Sequence, residues 1–468
     1  MIGLSSGSPQ ERFRRSPPYP EPFPELNLPA AETHVLSNGL TLAVVRRENQ
    51  PIISLRLLIL SGESVSPDRL PGLATLTAHY LIRGTQRLSA SDIEEAIEAI
   101  GGNLVVHVSP DYTAFSLSFL EEYFDEAFQV LSDILIRPTF PRNEIGNVQR
   151  NMYYEIARQS DNPEFIAKRV LLQILFKDHP YRKILYEPGM IKNIKRKDVL
   201  SFYDRHYRPN NSRLVIVGNL NLEMASRRVS RYLSPWQKQD LRPAFPPPLQ
   251  PINELNVCFV DLQRARDATV FLGNVIFPIH SPDYFPFIVF NQIIGGTPTS
   301  RLFMHLRESR GYAYYAFSEM EFYRSCGVFL VRTRLRPEVT YRAIQDILKE
   351  IEATTARPLS TYEIEQAKSY LIGNFPLSIE SPQDLAERIS EILAFGLERE
   401  RWDRYFESLM NIDPVSVSRV VSRYSLLTPV VVVVGPSTII PSLREFDEVR
   451  VYNPEGQFQY VLKKGETE

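Results

Sequence analysis

Tyr207-Arg-Pro-Asn-Asn-Ser-Arg-Leu-Val-Ile-Val-Gly218 closes a helix, crosses a proline-containing loop and runs into an apolar strand. Tyr424-Ser-Leu-Leu-Thr-Pro-Val-Val-Val-Val-Val-Gly435 repeats the plan 217 residues later, tyrosine on tyrosine and glycine on glycine. A second pair agrees. Asn162-Pro-Glu-Phe-Ile-Ala-Lys-Arg169 matches Ser381-Pro-Gln-Asp-Leu-Ala-Glu-Arg388 at an offset of 219, which also sets Phe176 against Phe395. The drift between the two offsets is a small insertion in an old duplication. The chain therefore contains one structural unit twice.

The patterning around these anchors supports the duplication. The first half reads as strands over 41–47 and 52–61, helices over 71–83 and 89–100, and strands over 103–109 and 112–119. A run of helices then leads to the strand at 213–218. The second half reads as strands near 256–261 and 267–276, helices over 282–294 and 299–309, strands over 313–320 and 325–334, further helices, and the strand at 429–434. Thr113-Ala-Phe-Ser-Leu-Ser-Phe119 alternates with period two, as a half-buried strand does, whereas 363–375 has the three- and four-residue spacing of a helix. Ser234–Ile252 separates the halves, with five prolines between 235 and 248 and no helical period. These features divide the chain into a proline-rich arm (1–30), an N-terminal domain (31–234), a semi-rigid linker (235–252), a C-terminal domain (253–436) and an appendage (437–468) with one possible strand at 447–462.

Composition narrows the function. The chain has 468 residues, 43% hydrophobic and 23% charged, with 53 basic against 55 acidic side chains. Such a balance gives no electrostatic reason to expect a nucleic-acid or anionic-membrane partner. The short run Lys192-Asn-Ile-Lys-Arg-Lys-Asp198 reads as a solvated helix start. Cys258 and Cys326 are the two cysteines, both in apolar strand-like runs. They read as free thiols, with a single disulfide between them left open. No stretch approaches the ~20 apolar residues of a membrane span. The first 30 residues carry seven prolines and no apolar core of a signal peptide, so a cytoplasmic location is expected, or a periplasmic one if the true start lies elsewhere.

Gly72-Leu-Ala-Thr-Leu-Thr-Ala-His79 … Arg83-Gly-Thr85 resembles the zinc helix of the pitrilysin, insulysin and mitochondrial-processing-peptidase superfamily, whose motif is an inverted His-x-x-Glu-His. Asp178-His-Pro-Tyr181, His206-Tyr-Arg-Pro-Asn-Asn211 and Leu306-Arg-Glu-Ser-Arg-Gly-Tyr-Ala-Tyr314 match further landmarks in order. The resemblance covers nearly the whole chain. It implies an α+β fold of two homologous halves, each a mixed sheet packed with helices (the LuxS/MPP-like metalloprotease fold). It also implies pairing of such chains into a shell around a peptide chamber.

Mapped onto the motif, the first zinc histidine falls on Thr75, the general base on Ala78, the second histidine on His79 and the distant glutamate ligand on Glu155. A catalytic zinc wants three protein ligands and one open position. Threonine is a poor ligand, and alanine takes no proton. Loss of the base alone costs about 10²–10⁴ in rate. Metal is therefore expected to be absent from this chain. His79 is expected to pack or cap, and no other histidine supplies a substitute. His107, on the strand after the helix pair, approaches the site or serves structure.

The family's second element, an arginine and a tyrosine seven residues apart, is present as Arg307 and Tyr314. The resemblance implies that they reach across the chamber to the peptide bond held at another domain's zinc. There a guanidinium and a phenol stabilise the tetrahedral oxyanion. A structural role for both stays open, and on strand alternation Tyr312 and Tyr314 share one face while Tyr315 takes the other. Gly101-Gly-Asn103 leads into the strand that, in the family, binds substrate by β-addition. The same glycines also serve as a plain helix C-cap. Ile294-Gly-Gly-Thr-Pro-Thr-Ser300 lacks the long glycine-rich loop of the presequence-binding α subunit, and no phosphate loop follows.

The leading expectation is a non-metal-binding subunit of a two-chain zinc metallopeptidase, a heterodimer whose homologous partner carries the zinc. Arg307 and Tyr314 would be catalytic, Gly101, Gly102 and Asn103 substrate-binding, and unfolded peptides or short polypeptides the substrates. The rivals are an inactive scaffold or peptide-binding protein of the same fold, and a zinc endopeptidase with unorthodox ligands.

Overall fold

Val430–Gly435 and Ser212–Gly218, the two repeated runs, are central strands of two sheets. The computed structural model describes residues 30–48, 50–241, 245–357, 359–398, 401 and 404–465. The proposed N-terminal arm lies outside the described residues, apart from Ala30. The first sheet contains β1 (Glu32–Val35), β2 (Thr41–Arg46), β3 (Ile52–Ile59), β4 (Asn103–Val108), β5 (Thr113–Leu120) and β6 (Ser212–Gly218) in the order β1-β2-β6-β3-β5-β4. The second contains β7 (Asn256–Asp261), β8 (Ala268–Ile276), β9 (Ala313–Phe322), β10 (Gly327–Leu335), β11 (Val430–Gly435), β12 (Glu448–Tyr452) and β13 (Phe458–Lys463) in the order β13-β12-β7-β11-β8-β10-β9.

Five strands of each sheet correspond one to one. β2 runs parallel to β6 as β7 does to β11, and the three following pairs are antiparallel in both sheets. The terminal glycines are equivalent down to one bond: Gly218 O accepts from Arg47 N, and Gly435 O from Leu262 N, both at 2.8 Å. A Cβ on either glycine would displace the end of an isoleucine side chain, Ile53 or Ile439, and press on a backbone carbonyl, so both strand ends are crowded in the same way. The appendage departs from the single strand expected over 447–462. Asn453–Gly456 makes a turn, Gly456 takes φ +84°, and the segment folds into the β12–β13 hairpin, which extends the second sheet.

The helices of the first half are α1 (Leu73–Leu81), α2 (Ala90–Ala99), α3 (Phe124–Ile136), α4 (Ile145–Gln159), α5 (Pro163–Phe176), α6 (Arg196–His206) and α7 (Leu222–Leu233). The second half adds α8 (Tyr284–Ile294), α9 (Arg301–Phe303, continuing as a π turn over Met304–Ser309), α10 (Thr340–Ala356), α11 (Thr361–Asn374) and α12 (Pro382–Phe395).

α5 and α12 are exchanged. α5 belongs to the first half yet packs on β8 and β11 of the second, while α12 of the second half packs on β3 and β6 of the first. Both begin in the same way: the side chain of Asn162 or Ser381 accepts a backbone N–H of the first turn, and proline fills the first helical position. The repeated Asn-Pro and Ser-Pro pairs are thus helix starts. The exchange explains why Leu214–Val217 of β6 and Val430–Val434 of β11 are apolar on both faces. Leu214 and Ile216 join their own half's core, while Val215 and Val217 join Leu385 and Ala386 of α12 in the other. Val431 and Val433 face the second half's helices, and Val430, Val432 and Val434 face Ile166, Val170 and Leu171 of α5. Cys258 and Cys326 lie in this α5 layer as free, buried thiols, and burial pushes the Cys258 thiol up to about 12.

Asp178-His-Pro-Tyr181 ties the halves together. Tyr181 donates to Asp111 Oδ1 (2.9 Å) at the tip of the β4–β5 hairpin. It also accepts from Ser325 N (3.1 Å) at the tip of the β9–β10 hairpin, and Asp111 Oδ2 takes Arg324 N (2.8 Å). His179 Nε2 lies 2.8 Å from the carbonyl of Pro247 in the linker. The second landmark is also structural: Asn211 Nδ2 donates to His206 O (2.9 Å) and to Ser61 Oγ (3.1 Å), and His206 Nδ1 is 3.0 Å from the same Ser61 Oγ.

Three outcomes are expected. Leu171 is fully buried between α5 and the second sheet, so Leu171→Ala should cost about 2–5 kcal/mol. Urea unfolding should remain one transition, since neither sheet keeps its second cover alone. Burial, assisted by Arg205, lowers His206 from 6.5 to about 4. The unfolded chain therefore binds the extra proton between these values, and stability is lost as pH falls through that window, by up to about 3 kcal/mol. His206→Gln should flatten the slope of unfolding free energy against pH from 6.5 to about 4.

Candidate functional site

Helix α1 carries the stretch that resembles the metal motif, and a buried glutamate, Glu63, binds its first turn. Gly72, in the left-handed region at φ +87°, caps the helix. Glu63 accepts from Gly72 N (2.6 Å), Thr75 N (3.1 Å) and the Thr75 hydroxyl (3.0 Å). It is 1% exposed; burial pushes its carboxyl up, while these bonds and Ser66 pull it back. The Thr75 hydroxyl is thus committed as a donor to the Glu63 carboxylate. Ala78 is fully buried in the first half's core.

His79, half-buried, has a lowered pKa from burial, opposed by Glu155 and reinforced by Arg83. Glu155 projects from the exposed side of α4. The Tyr186 ring lies against Gly72, and burial and Glu63 push its phenol up. Among the described residues no group of three or more His, Cys, Asp or Glu side chains is arranged to hold a metal ion. The donor set on α1 does not fit zinc, because the Thr75 hydroxyl is engaged by Glu63 and Ala78 offers no ligand atom.

β4 is the edge of the first sheet and pairs with β5 only. Gly101 takes φ +64°, and Gly101 N and Gly102 N bond back to Glu98 O and Ile97 O, which closes α2. Asn103 then opens the edge strand, exposed. Leu104, Val106 and Val108 pack against the core that holds α1, so His107 lies on the opposite face. There the charges acting on it are Arg56 and Glu387 of α12, which form an ion pair (3.0 Å). The approach of His107 to the metal helix, one of two sequence-based alternatives, is therefore excluded.

Arg307 and Tyr314 occupy two backbone irregularities. The helix expected over 299–309 widens into a π turn, with Arg310 N bonding to His305 O (2.9 Å) and Tyr312 N to Leu306 O (2.8 Å). His305 Nδ1 lies 2.5 Å from Glu350 on α10 and fastens this turn. Arg307 is half-exposed, its guanidinium 4.9 Å from the Phe303 ring centroid. Gly311, at φ +62°, turns the chain into β9, the outer edge of the second sheet.

In β9 the register slips: Arg334 pairs with Tyr315 but Leu335 with Ala313, which leaves Tyr314 as the extra residue of a bulge. The expected alternation fails here. Tyr312 packs on the core. Tyr314 and Tyr315 reach one charged cluster instead of opposite faces: the Tyr314 phenol is 3.4 Å from Asp267 Oδ1, and Tyr315 donates to Glu164 (2.6 Å). Burial and Glu164 push the Tyr315 phenol up. A cleft of about 360 Å³ between the α5 start and the β7–β8 turn is lined by Glu164, Arg266, Asp267 and Arg334.

Among the described residues no hydrogen bond, ion pair or ring contact joins Arg307 or Tyr314 to Thr75, His79 or Glu155. The two sets lie on different halves. Glu63, Asp267 and Arg334 went unread in the sequence: each is a single charged residue on a loop or strand, in no recognised spacing.

Two family models match in succession. Residues 41–189 match the insulinase model of peptidase family M16, and residues 193–371 match the peptidase M16 inactive domain. An uncharacterized zinc protease of Rickettsia bellii is 25% identical over 408 residues, 86% of this chain and 97% of that protein. A non-peptidase homolog, YmxG, of Helicobacter pylori is 25% identical over 359 residues, 75% and 82% of the two. In fold, the chain is similar to the crystal structure of a peptidase M16 inactive domain from Pseudomonas fluorescens, with a TM-score of 0.81, 20% identity, and 87% and 98% coverage. The chain belongs to the pitrilysin superfamily, peptidase family M16, with the family's inactive domain over residues 193–371.

Equilibrated with equimolar zinc and freed of excess, the chain should retain less than about 0.1 equivalent by elemental analysis, as a site with two ligands is expected to. Near-stoichiometric retention would reverse the assignment of Thr75 and Ala78 as lost positions.

Proposed function

We propose that the chain is the non-metal-binding subunit of a two-chain zinc metallopeptidase. It lends Arg307, Tyr314 and half of a peptide chamber to the zinc site of a homologous partner. The observation that carries the proposal is the contrast between the two elements. At the metal helix Thr75 is locked to Glu63 and Ala78 is sealed in the core. Arg307 and Tyr314 instead stand half-exposed or more, on a π turn and a bulge, irregularities that recur at functional sites.

The chemistry follows from charge. Cleavage of a peptide bond at the partner's zinc places negative charge on the carbonyl oxygen. A guanidinium and a phenol O–H aimed there stabilise that charge in a site closed to water. Gly101, Gly102 and Asn103 bring an extended peptide to the free edge of β4, where main-chain bonds give affinity with little side-chain selectivity. Unfolded peptides or short polypeptides are the substrates that suit such a surface. No described helix is long and apolar enough to cross a membrane. We propose the cytoplasm for the pair, or the periplasm if the true start of the chain lies elsewhere.

A second reading, an inactive scaffold or peptide-binding protein of the same fold, draws support from the relative named a non-peptidase homolog. Mixing the chain with a family member that carries an intact His-x-x-Glu-His separates the two. The proposed subunit should raise peptidase activity, and Arg307→Ala or Tyr314→Phe should lower kcat by about 10²–10³. Activity indifferent to both substitutions would leave the scaffold reading standing.

A further inference from the structure

The geometry points to Asp267 and Arg334 as positioning residues for Tyr314, a clamp that sets where its phenol stands at the chamber wall. This rests on the proposed role of Tyr314. Arg334 on β10 gives both Nε (2.9 Å) and Nη2 (2.6 Å) to a single oxygen of Asp267, Oδ2. The second oxygen, Oδ1, is left for Tyr314, whose phenol donates to it at 3.4 Å. The same guanidinium lies 5.5 Å from the Tyr314 ring centroid, so it touches both the carboxylate and the ring. Asp267 is the covered member, its side chain 15% exposed against 51% for Arg334.

The backbone makes the clamp necessary. Tyr314 is the unpaired residue of the bulge, so its direction is not set by the pleat as that of its neighbours is. Tyr315, next along, is anchored separately by Glu164. A bond of 3.4 Å is long, so the phenol gives it up readily when a stronger acceptor arrives. Arg334 continues to hold the ring while the proton is redirected. The clamp touches neither the peptide nor the reacting atoms, so its loss should show in kcat and spare KM.

The test uses the full chain reconstituted with a zinc-bearing family partner. Asp267→Ala and Arg334→Ala should each lower kcat about 10–100-fold, the scale on which misplacing a catalytic group acts, with KM changed less than about twofold. Asp267→Ala combined with Tyr314→Phe should be no slower than Tyr314→Phe alone, because the clamp acts through the phenol. Arg264→Ala, which removes an exposed ion pair with Asp161 in the same cleft, should have no effect. A damaging Tyr314→Phe with harmless Asp267→Ala and Arg334→Ala, or with losses that multiply, overturns the clamp alone. A harmless Tyr314→Phe overturns the clamp together with the function on which it rests.

Discussion

The exchange of α5 and α12 between the halves is the constraint on which the rest depends. A sheet with one covered face shows alternating side chains, and a sheet covered twice does not. β6 and β11 are of the second kind, and in each the second cover comes from the opposite half. The halves are therefore fixed by apolar burial across their junction, and the linker is left to connect them. The polar knot of Tyr181, Asp111, Arg324 and Ser325 adds direction to that burial. Each buried group in it has a partner, and the hairpin tips of both sheets are pinned to one phenol.

Much of this was legible in the sequence for one physical reason: duplication writes each structural decision twice. Asn162-Pro and Ser381-Pro are the same helix start, and Gly218 and Gly435 the same crowded strand end. What escaped was everything without a twin or a period. The pairing of the α5 face with a distant sheet cannot be read from helical spacing, since a buried stripe does not name the surface it meets. The π turn at Arg307 and the bulge at Tyr314 depend on hydrogen bonds between segments, so simple alternation misplaced Tyr315 relative to Tyr314. Glu63 was silent because a lone acidic residue in a loop is ordinarily solvated, and only the fold brings it beneath Gly72 and Thr75.

The two candidate elements were built by opposite means. At α1 the Glu63 carboxylate satisfies the orphan N–H groups of the helix start and takes the Thr75 hydroxyl as a further donor. At the edge of the second sheet, regular backbone has been sacrificed in two places seven residues apart, and the side chains released by those irregularities face solvent. The first arrangement turns every polar group inward, and the second leaves a guanidinium and a phenol at least half-exposed.

The crossing of α5 and α12 also has a genealogical meaning. A half-length ancestor could not have covered both faces of its own sheet, because its covering helix reaches outward to another sheet. Two copies of such a chain would satisfy each other by trading helices, as a domain-swapped pair does. The present molecule has the form of that pair with its two chains joined end to end. Two separately made halves would then be expected to find and hold each other through the traded helices, without a covalent connection.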